Sequence, residues 1–164
     1  MNSIFHRTSI REFTDQKVEK EKVELILKAA MAAPSSSNQQ PWEFYITENK
    51  STLLELSQCS PYAGCAKKAP MAFVICYRED VPYVECAPLD AAAATENMLL
   101  AIDSLGLASV WLSVAPFNER VDQVIKVLSL PNGIHPFAIL PCGYPIKIIP
   151  QKNRYNPNKI HFLE

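Results

Sequence analysis

The spacing of apolar residues changes several times along the chain, and each change marks an element. From Glu19 to Ala33, "EKEKVELILKAAMAA" places Val23, Ile26, Leu27 and Ala30 at i, i+3, i+4 and i+7, the stripe of an amphipathic helix. Pro34 and the polar run "SSSNQQP" stop it. "WEFYITE" then alternates loosely and predicts a strand, and Ser51 opens a short helix, "STLLELSQ". "MAFVICY", Met71 to Tyr77, is apolar throughout and of strand length, which predicts a buried strand. After Ala87-Pro88, "LDAAAATENMLLAIDSLGL" is the strongest helical stretch, rich in Ala and Leu and closed by Gly106 at a C-terminal cap position. Its apolar residues run nearly all the way round, so the helix is buried on most sides. In a chain of this size that predicts a subunit interface as well as a core.

"SVWLSV", Ser109 to Val114, reads as one further strand. Pro116 follows, then the helix "NERVDQVIKVLSL" and the apolar strand "FAILPCG", Phe137 to Gly143. The tail from Tyr144 to Glu164 differs in kind: it holds Pro145, Pro150 and Pro157, several basic residues and a last apolar run, "KIHFL". Such a segment builds no core of its own and is expected to pack on a partner chain. The pattern predicts an α+β fold in one domain over residues 1–164, with a mainly antiparallel central sheet flanked by helices.

Composition narrows the function more than the fold. Hydrophobic residues make up 48% of the 164 and charged residues 20%, a globular balance. A formal net charge of -1 argues against a general nucleic-acid binder. No apolar run is as long as a membrane span. The start, "MNSIFHRTSI", lacks the apolar stretch of a secretory leader, so a cytoplasmic protein is expected, without a membrane partner. Cys59, Cys65, Cys76, Cys86 and Cys142 form no CxxC pair and are expected to be reduced and mostly buried. His6, His135 and His161 show no metal spacing. Only Gly64, Gly106, Gly133 and Gly143 occur, from which neither GxGxxG nor a P-loop can be written. A phosphorylated ligand would therefore be held largely by side chains.

Three polar clusters are candidates for that work. In "HRTSIREF", Arg7, Thr8, Ser9 and Arg11 crowd together, and in an extended segment Arg7, Ser9 and Arg11 share a face. A guanidinium fork matches phosphate oxygens, and a hydroxyl adds a further bond. In "APSSSNQQPWEF", serines, Asn38 and Gln40 offer donors and acceptors to a polar heteroaromatic edge. In "GYPIKIIPQKNRY", Lys152 and Arg154 stand two apart in a proline-stiffened tail and form a second basic pair. Each cluster, taken alone, also fits an ordinary solvated surface or loop.

Together and in this order they resemble the FMN-dependent nitroreductases, in particular the short forms of that family. The opening motif Arg-x-Ser-x-Arg/Lys-x-Phe stands as Arg7-Thr8-Ser9-Ile10-Arg11-Glu12-Phe13. The second, Ala-Pro-Ser-x-x-Asn-x-Gln-Pro-Trp-x-Phe, is present whole through Pro34, Ser35, Asn38, Gln40, Pro41, Trp42 and Phe44. The Ala-rich helix with its following strand, "LPCGYP" and the Lys-x-Arg tail resemble the family's remaining parts, so the likeness covers the whole chain.

The resemblance implies a homodimer with an exchanged C-terminal tail and FMN at the subunit interface. By similarity, Arg7, Ser9, Lys152 and Arg154 engage the phosphate and ribityl chain of FMN, Thr8 belongs to the same cofactor-binding segment, and Arg11 lies nearer either the phosphate or the pyrimidine edge of the ring. Pro34, Ser35 and Ser36 come from the other subunit, and Asn38 serves the ring or the substrate pocket. Leu112 and Ser113 run along the ring near N5. The family usually has glycine around positions 113 and 114, followed by an acidic residue, where this chain reads "LSVAP". Longer members place an asparagine and a lysine against the ring edge; here Lys67 or Lys68 is the candidate substitute, with a plain surface lysine as the alternative. The implied activity is a ping-pong transfer of electrons from NADH or NADPH through flavin N5 to a nitroaromatic, quinone or similar small acceptor. No residue triad, paired carboxylate or metal is implied. An FMN-binding storage or sensor protein with little turnover, and a flavin-free interaction protein on the same scaffold, are the alternatives.

Overall fold

The computed structural model describes residues 2–163. Its centre is strand β2, Met71–Arg78, whose residues alternate between two apolar layers. Met71, Phe73 and Ile75 face one layer and Ala72, Val74 and Cys76 the other. Burial on both faces is why the run is apolar without alternation.

Strand β1, Trp42–Thr47, pairs antiparallel with one edge of β2, and the long β5, Ile134–Gly143, with the other. Beyond β5 lie two short stretches, β3 at Ala108–Ser109 and β4 at Leu112–Ser113. The single strand expected over Ser109–Val114 is thus interrupted. Ser109 lies opposite Cys142 and Leu112 opposite Ile139, so the gap faces Leu140 and Pro141. Proline has no N–H to donate, so the ladder on this edge is interrupted beside it and resumes at Leu112. β5 also begins three residues earlier than expected, passing through Pro136 at a register irregularity opposite Ile75 and Cys76. Proline is tolerated in a strand at such a site.

One layer carries α2, Lys20–Met31, and α4, Ala87–Ser104. The other carries α3, Lys50–Leu56, and α5, Asn118–Leu128. α4 is buried along Ala91, Ala94, Met98 and Ile102, and the Thr95 hydroxyl inside this seam bonds back to the Ala91 carbonyl at 2.7 Å. Asn97 Nδ2 donates to the Ala29 carbonyl at 3.0 Å and ties α4 to α2. A further helix, α1 at Asn2–His6, has no apolar stripe to announce it and no buried residue. It is held to α4 by His6 Nδ1 and Asp103 Oδ1, 2.8 Å apart. None of the described helices is long and apolar enough to cross a membrane.

Candidate functional site: two basic segments and a hydrogen-bonded loop

Residues 7–13 run extended beside the sheet. Ser9 forms a parallel bridge with Ser109, and Ile10 N–H donates to the Ser109 carbonyl at 2.9 Å. Ile10 and Phe13 are buried with Ala69 and Ala108, while Ser9 and Arg11 on either side of Ile10 are exposed. Arg7 is half-buried, with Nε 3.6 Å from Glu96 Oε1. A guanidinium has further N–H donors besides that one.

The tail comes back to this segment. Thr14 N–H donates to the Tyr144 carbonyl, Phe13 bridges Pro145, and Ile146 N–H reaches the Glu12 carbonyl at 3.2 Å. Thr8 Oγ1 donates to the Ile149 carbonyl at 3.0 Å. Gln151 Nε2 donates to the carbonyls of Ile4, at 3.0 Å, and Arg7, at 3.1 Å. The chain from Tyr144 to Gln151 therefore lies along its own N-terminal segment. Lys152 follows the residue that is bonded to Arg7, so the second basic pair begins next to the first basic segment. From Lys152 to Leu163 the tail is exposed, with Tyr155, Ile160, Phe162 and Leu163 turned to solvent.

Lys68 joins the same side of the molecule. Burial pushes the Cys65 thiol up, and the positive charges of Arg11 and Lys68 both act on it in the opposite direction. Lys67 and Lys68 are exposed at the end of a single turn, Ala66–Lys68. Cys59, Cys65, Cys76 and Cys142 are buried and Cys86 is half-buried, and all five are unpaired thiols. Burial drives Cys76 and Cys142 up to about 12.

The loop after α2 forms a second, separate cluster. Ser37, Asn38 and Gln40 all have φ near +50°. Asparagine tolerates the left-handed region, but serine and glutamine do so only when the surroundings hold them there. Asp90, in the first turn of α4 and 5% exposed, provides the hold. Its Oδ1 accepts from Ser36 N–H at 2.9 Å and its Oδ2 from Gln39 Nε2 at 2.7 Å. Gln39 also exchanges two 3.0 Å bonds with the Tyr83 backbone, and Ser35 Oγ accepts from Gln40 N–H at 3.1 Å. A helix N-terminus favours the charge that Asp90 buries there. Neither Asp90 nor Gln39 is singled out by the sequence. Gln39 occupies a variable position of the second motif, and the only signal for Asp90 was its place two residues after Pro88.

These two clusters do not meet within one chain. The loop hangs on the start of α4 and the α1–Arg7 segment on its later turns, with Asp90 and Asp103 about 20 Å apart along the helix axis. Leu112 and Ser113 lie in β4, Leu112 buried and Ser113 exposed. The Ser113 carbonyl accepts from Arg120 Nη1 at 2.9 Å. The next two N–H groups, of Val114 and Ala115, both donate to the Phe137 carbonyl at 3.1 Å. Those backbone donors are already engaged within the chain.

The nitroreductase family model matches residues 4–63 and 56–144, which takes in both motifs and the sheet. A relative from Archaeoglobus fulgidus, provisionally named an NADH dehydrogenase/NAD(P)H nitroreductase, is 36% identical over 98% of this chain and 95% of its own. The structure of an FMN-dependent nitroreductase from Clostridium difficile R20291 superposes with a TM-score of 0.92 at 32% identity, covering 100% of this chain and 99% of the other. A provisionally named nitroreductase from Desulfovibrio desulfuricans, solved in complex with FMN, matches with a TM-score of 0.87 at 28% identity over 99% of this chain and 95% of that one. With an open antiparallel sheet between two helical layers, and both motifs inside the matched residues, the chain belongs to the nitroreductase family.

Proposed function

We propose that this protein is an FMN-dependent oxidoreductase that takes electrons from NADH or NADPH and passes them to a nitroaromatic, a quinone or a similar electron-poor acceptor. The observation that carries the reading is the Gln151 side chain bonded to the Arg7 carbonyl. The Lys152–Arg154 pair starts at the next residue, one step along the chain from that contact. The resulting donor set of guanidinium, ammonium and hydroxyl groups is the chemistry a phosphate monoester requires where no glycine-rich loop exists. The FMN complex of the Desulfovibrio relative supports the same cofactor.

In this reading Arg7, Ser9, Arg11, Lys152 and Arg154 hold the phosphate end, and Thr8 acts by fixing the tail through Ile149. Arg11, with Lys68 on the same side, supplies positive charge toward the ring's pyrimidine edge and attracts anionic nicotinamide dinucleotides. Pro34, Ser35, Ser36 and Asn38 serve the ring of the partner subunit's cofactor. A twofold-related copy is needed because the loop and the basic segments sit at different stations on α4. Each 164-residue chain is one domain, and the tail beyond Arg154 packs on the other subunit. When bound, FMN supplies the two-electron chemistry, with donor and acceptor taking turns in one pocket. The protein's part is to bind, orient and keep water off the ring.

The test is the visible spectrum of the purified protein, before and after anaerobic addition of NADH or NADPH, with Arg7→Ala and Arg154→Ala alongside. The expected result is a flavin spectrum that bleaches, and variants that purify with little or no flavin. Full FMN in both variants would sink the phosphate assignment. One observation favours a second reading, a flavin store or sensor with little turnover: Val114 and Ala115 N–H are both committed to Phe137. Those donors are then not free to orient the ring at the strand end. A steady-state reductase assay separates the two, since a store stays oxidised in the presence of reduced nicotinamide.

A further inference from the structure

We infer that Asp90 and Gln39 form a clasp that sets the shape of the flavin-facing loop and thereby the affinity for the isoalloxazine ring; they touch the loop and not the ligand. The inference rests on the flavin reading above. The loop from Ser35 to Gln40 holds three left-handed residues, Ser37, Asn38 and Gln40. Its own internal bonds are few: Asn38 N–H to the Ser35 carbonyl, Gln39 N–H to the Ser36 carbonyl, and Gln40 N–H to Ser35 Oγ. What keeps it from relaxing comes from outside the loop.

Asp90 is the centre of that hold. It is nearly fully buried and carries acceptors only, and its two oxygens take the Ser36 N–H and the Gln39 amide. The Ser36 hydroxyl lies 3.4 Å from Oδ1 as a weaker third donor. Gln39 then passes the restraint on, because its amide donates to the Tyr83 carbonyl while its oxygen accepts from Tyr83 N–H. Arg78 adds a 3.4 Å contact from Nη2 to the Gln39 carbonyl, and its N–H donates to the Pro41 carbonyl at 2.9 Å. Every group of Gln39 able to bond is therefore used to anchor the loop, which leaves the exposed Ser37, Asn38 and Gln40 as its presenting face. Asp90→Asn turns one acceptor into a donor facing either the Ser36 N–H or the Gln39 amide, and no orientation of the asparagine satisfies both. Gln39→Ala removes the bridge while leaving Asp90 bonded to Ser36.

The experiment is a titration of the full-length apoprotein with FMN and with riboflavin, for wild type, Asp90→Asn, Gln39→Ala and, as a control, Arg154→Ala. Riboflavin shares the ring and lacks the phosphate, so it reports the loop separately from the basic segments. The expected result is a loss of roughly tenfold in affinity, equal for FMN and riboflavin, in both clasp variants. Their bound flavin also has an altered visible circular dichroism, whereas Arg154→Ala weakens FMN alone. Unchanged affinity and dichroism in both clasp variants, or a loss confined to FMN, would overturn the clasp. If Asp90→Asn fails to fold, Gln39→Ala decides by the same criteria. A wild-type protein that binds neither ligand overturns the flavin reading, and the clasp with it.

Discussion

At the scale of single residues, two positions show how local chemistry is set by distant neighbours. Gly143, at the end of β5, does not need its freedom of φ. A Cβ there would lie 2.6 Å from Pro70 Cδ and 3.3 Å from Phe13 Cβ. A proline ring and a side chain's own Cβ cannot swing aside, so Gly143→Ala is expected to destabilise the protein by about 1–3 kcal/mol, read from urea denaturation. Tyr144, the next residue, ties the end of β5 to the start of α2. Its hydroxyl accepts from Lys22 Nζ at 2.7 Å and donates to the Glu19 carboxylate, 2.8 Å from each oxygen. A backbone N–H first and the Tyr144 hydroxyl second hold Glu19 below its usual 4.5. The Tyr144 hydrogen bond is the main cause that raises Lys22 above 10.5. Because the Glu19 value is depressed on folding, its contribution is present above pH 4.5 and is lost as pH falls through the folded value. The Lys22 contribution has the opposite sense: present below 10.5 and lost as pH rises through the raised value. Tyr144→Phe should lower the urea midpoint near neutrality, and the gap to wild type should narrow at both extremes. A gap of constant size across the whole range would refute the coupling.

Elements follow their sequence signals where those signals are local. α3 starts at Lys50, with Asn49 Oδ1 accepting from Ser51 N–H at 2.9 Å and Thr52 N–H at 3.2 Å. Asn49→Ala should cost about 1 kcal/mol, measurable as a shift in denaturation midpoint with no change in slope. The buried strand β2, the amphipathic α2 and the Ala-rich α4 were all legible from periodicity, because each buries a face set by its own backbone geometry. The break between β3 and β4 was not, since it depends on Pro141 lying across the ladder. α1 was not legible either; its anchors, Glu96 for the adjoining Arg7 and Asp103 for His6, lie far along the chain.

For the whole molecule, the question is what the tail does. Its first part is bonded to the N-terminal segment and its last part exposes Tyr155, Phe162 and Leu163, each more than 70% accessible. Side chains of that size left in water at one end of a chain suit burial against a second copy. A chain ending at Gln151 should melt at a lower temperature than the full-length apoprotein, since the burial of the tail against the second copy is lost. It should elute as a monomer and fail to retain FMN, as followed by light scattering and flavin absorbance. A truncated chain that remains a flavin-loaded dimer would refute the exchange.

Alone, the sequence determined the strand and helix pattern, the two motifs and the absence of a glycine-rich phosphate loop. These rest on short periods, on steric rules for Pro and Gly, and on residue identity, all of which act within a few positions. The tertiary structure decided which segments meet: Gln151 with Arg7, Pro70 with Gly143, and Asp90 with Ser36 and Gln39. Those pairs are separated by tens of residues or more, and no local preference selects them. Asp90, for one, meets its donors because a buried carboxylate must be hydrogen-bonded, and packing α4 against α2 brings the Ser36 N–H and the Gln39 amide within reach.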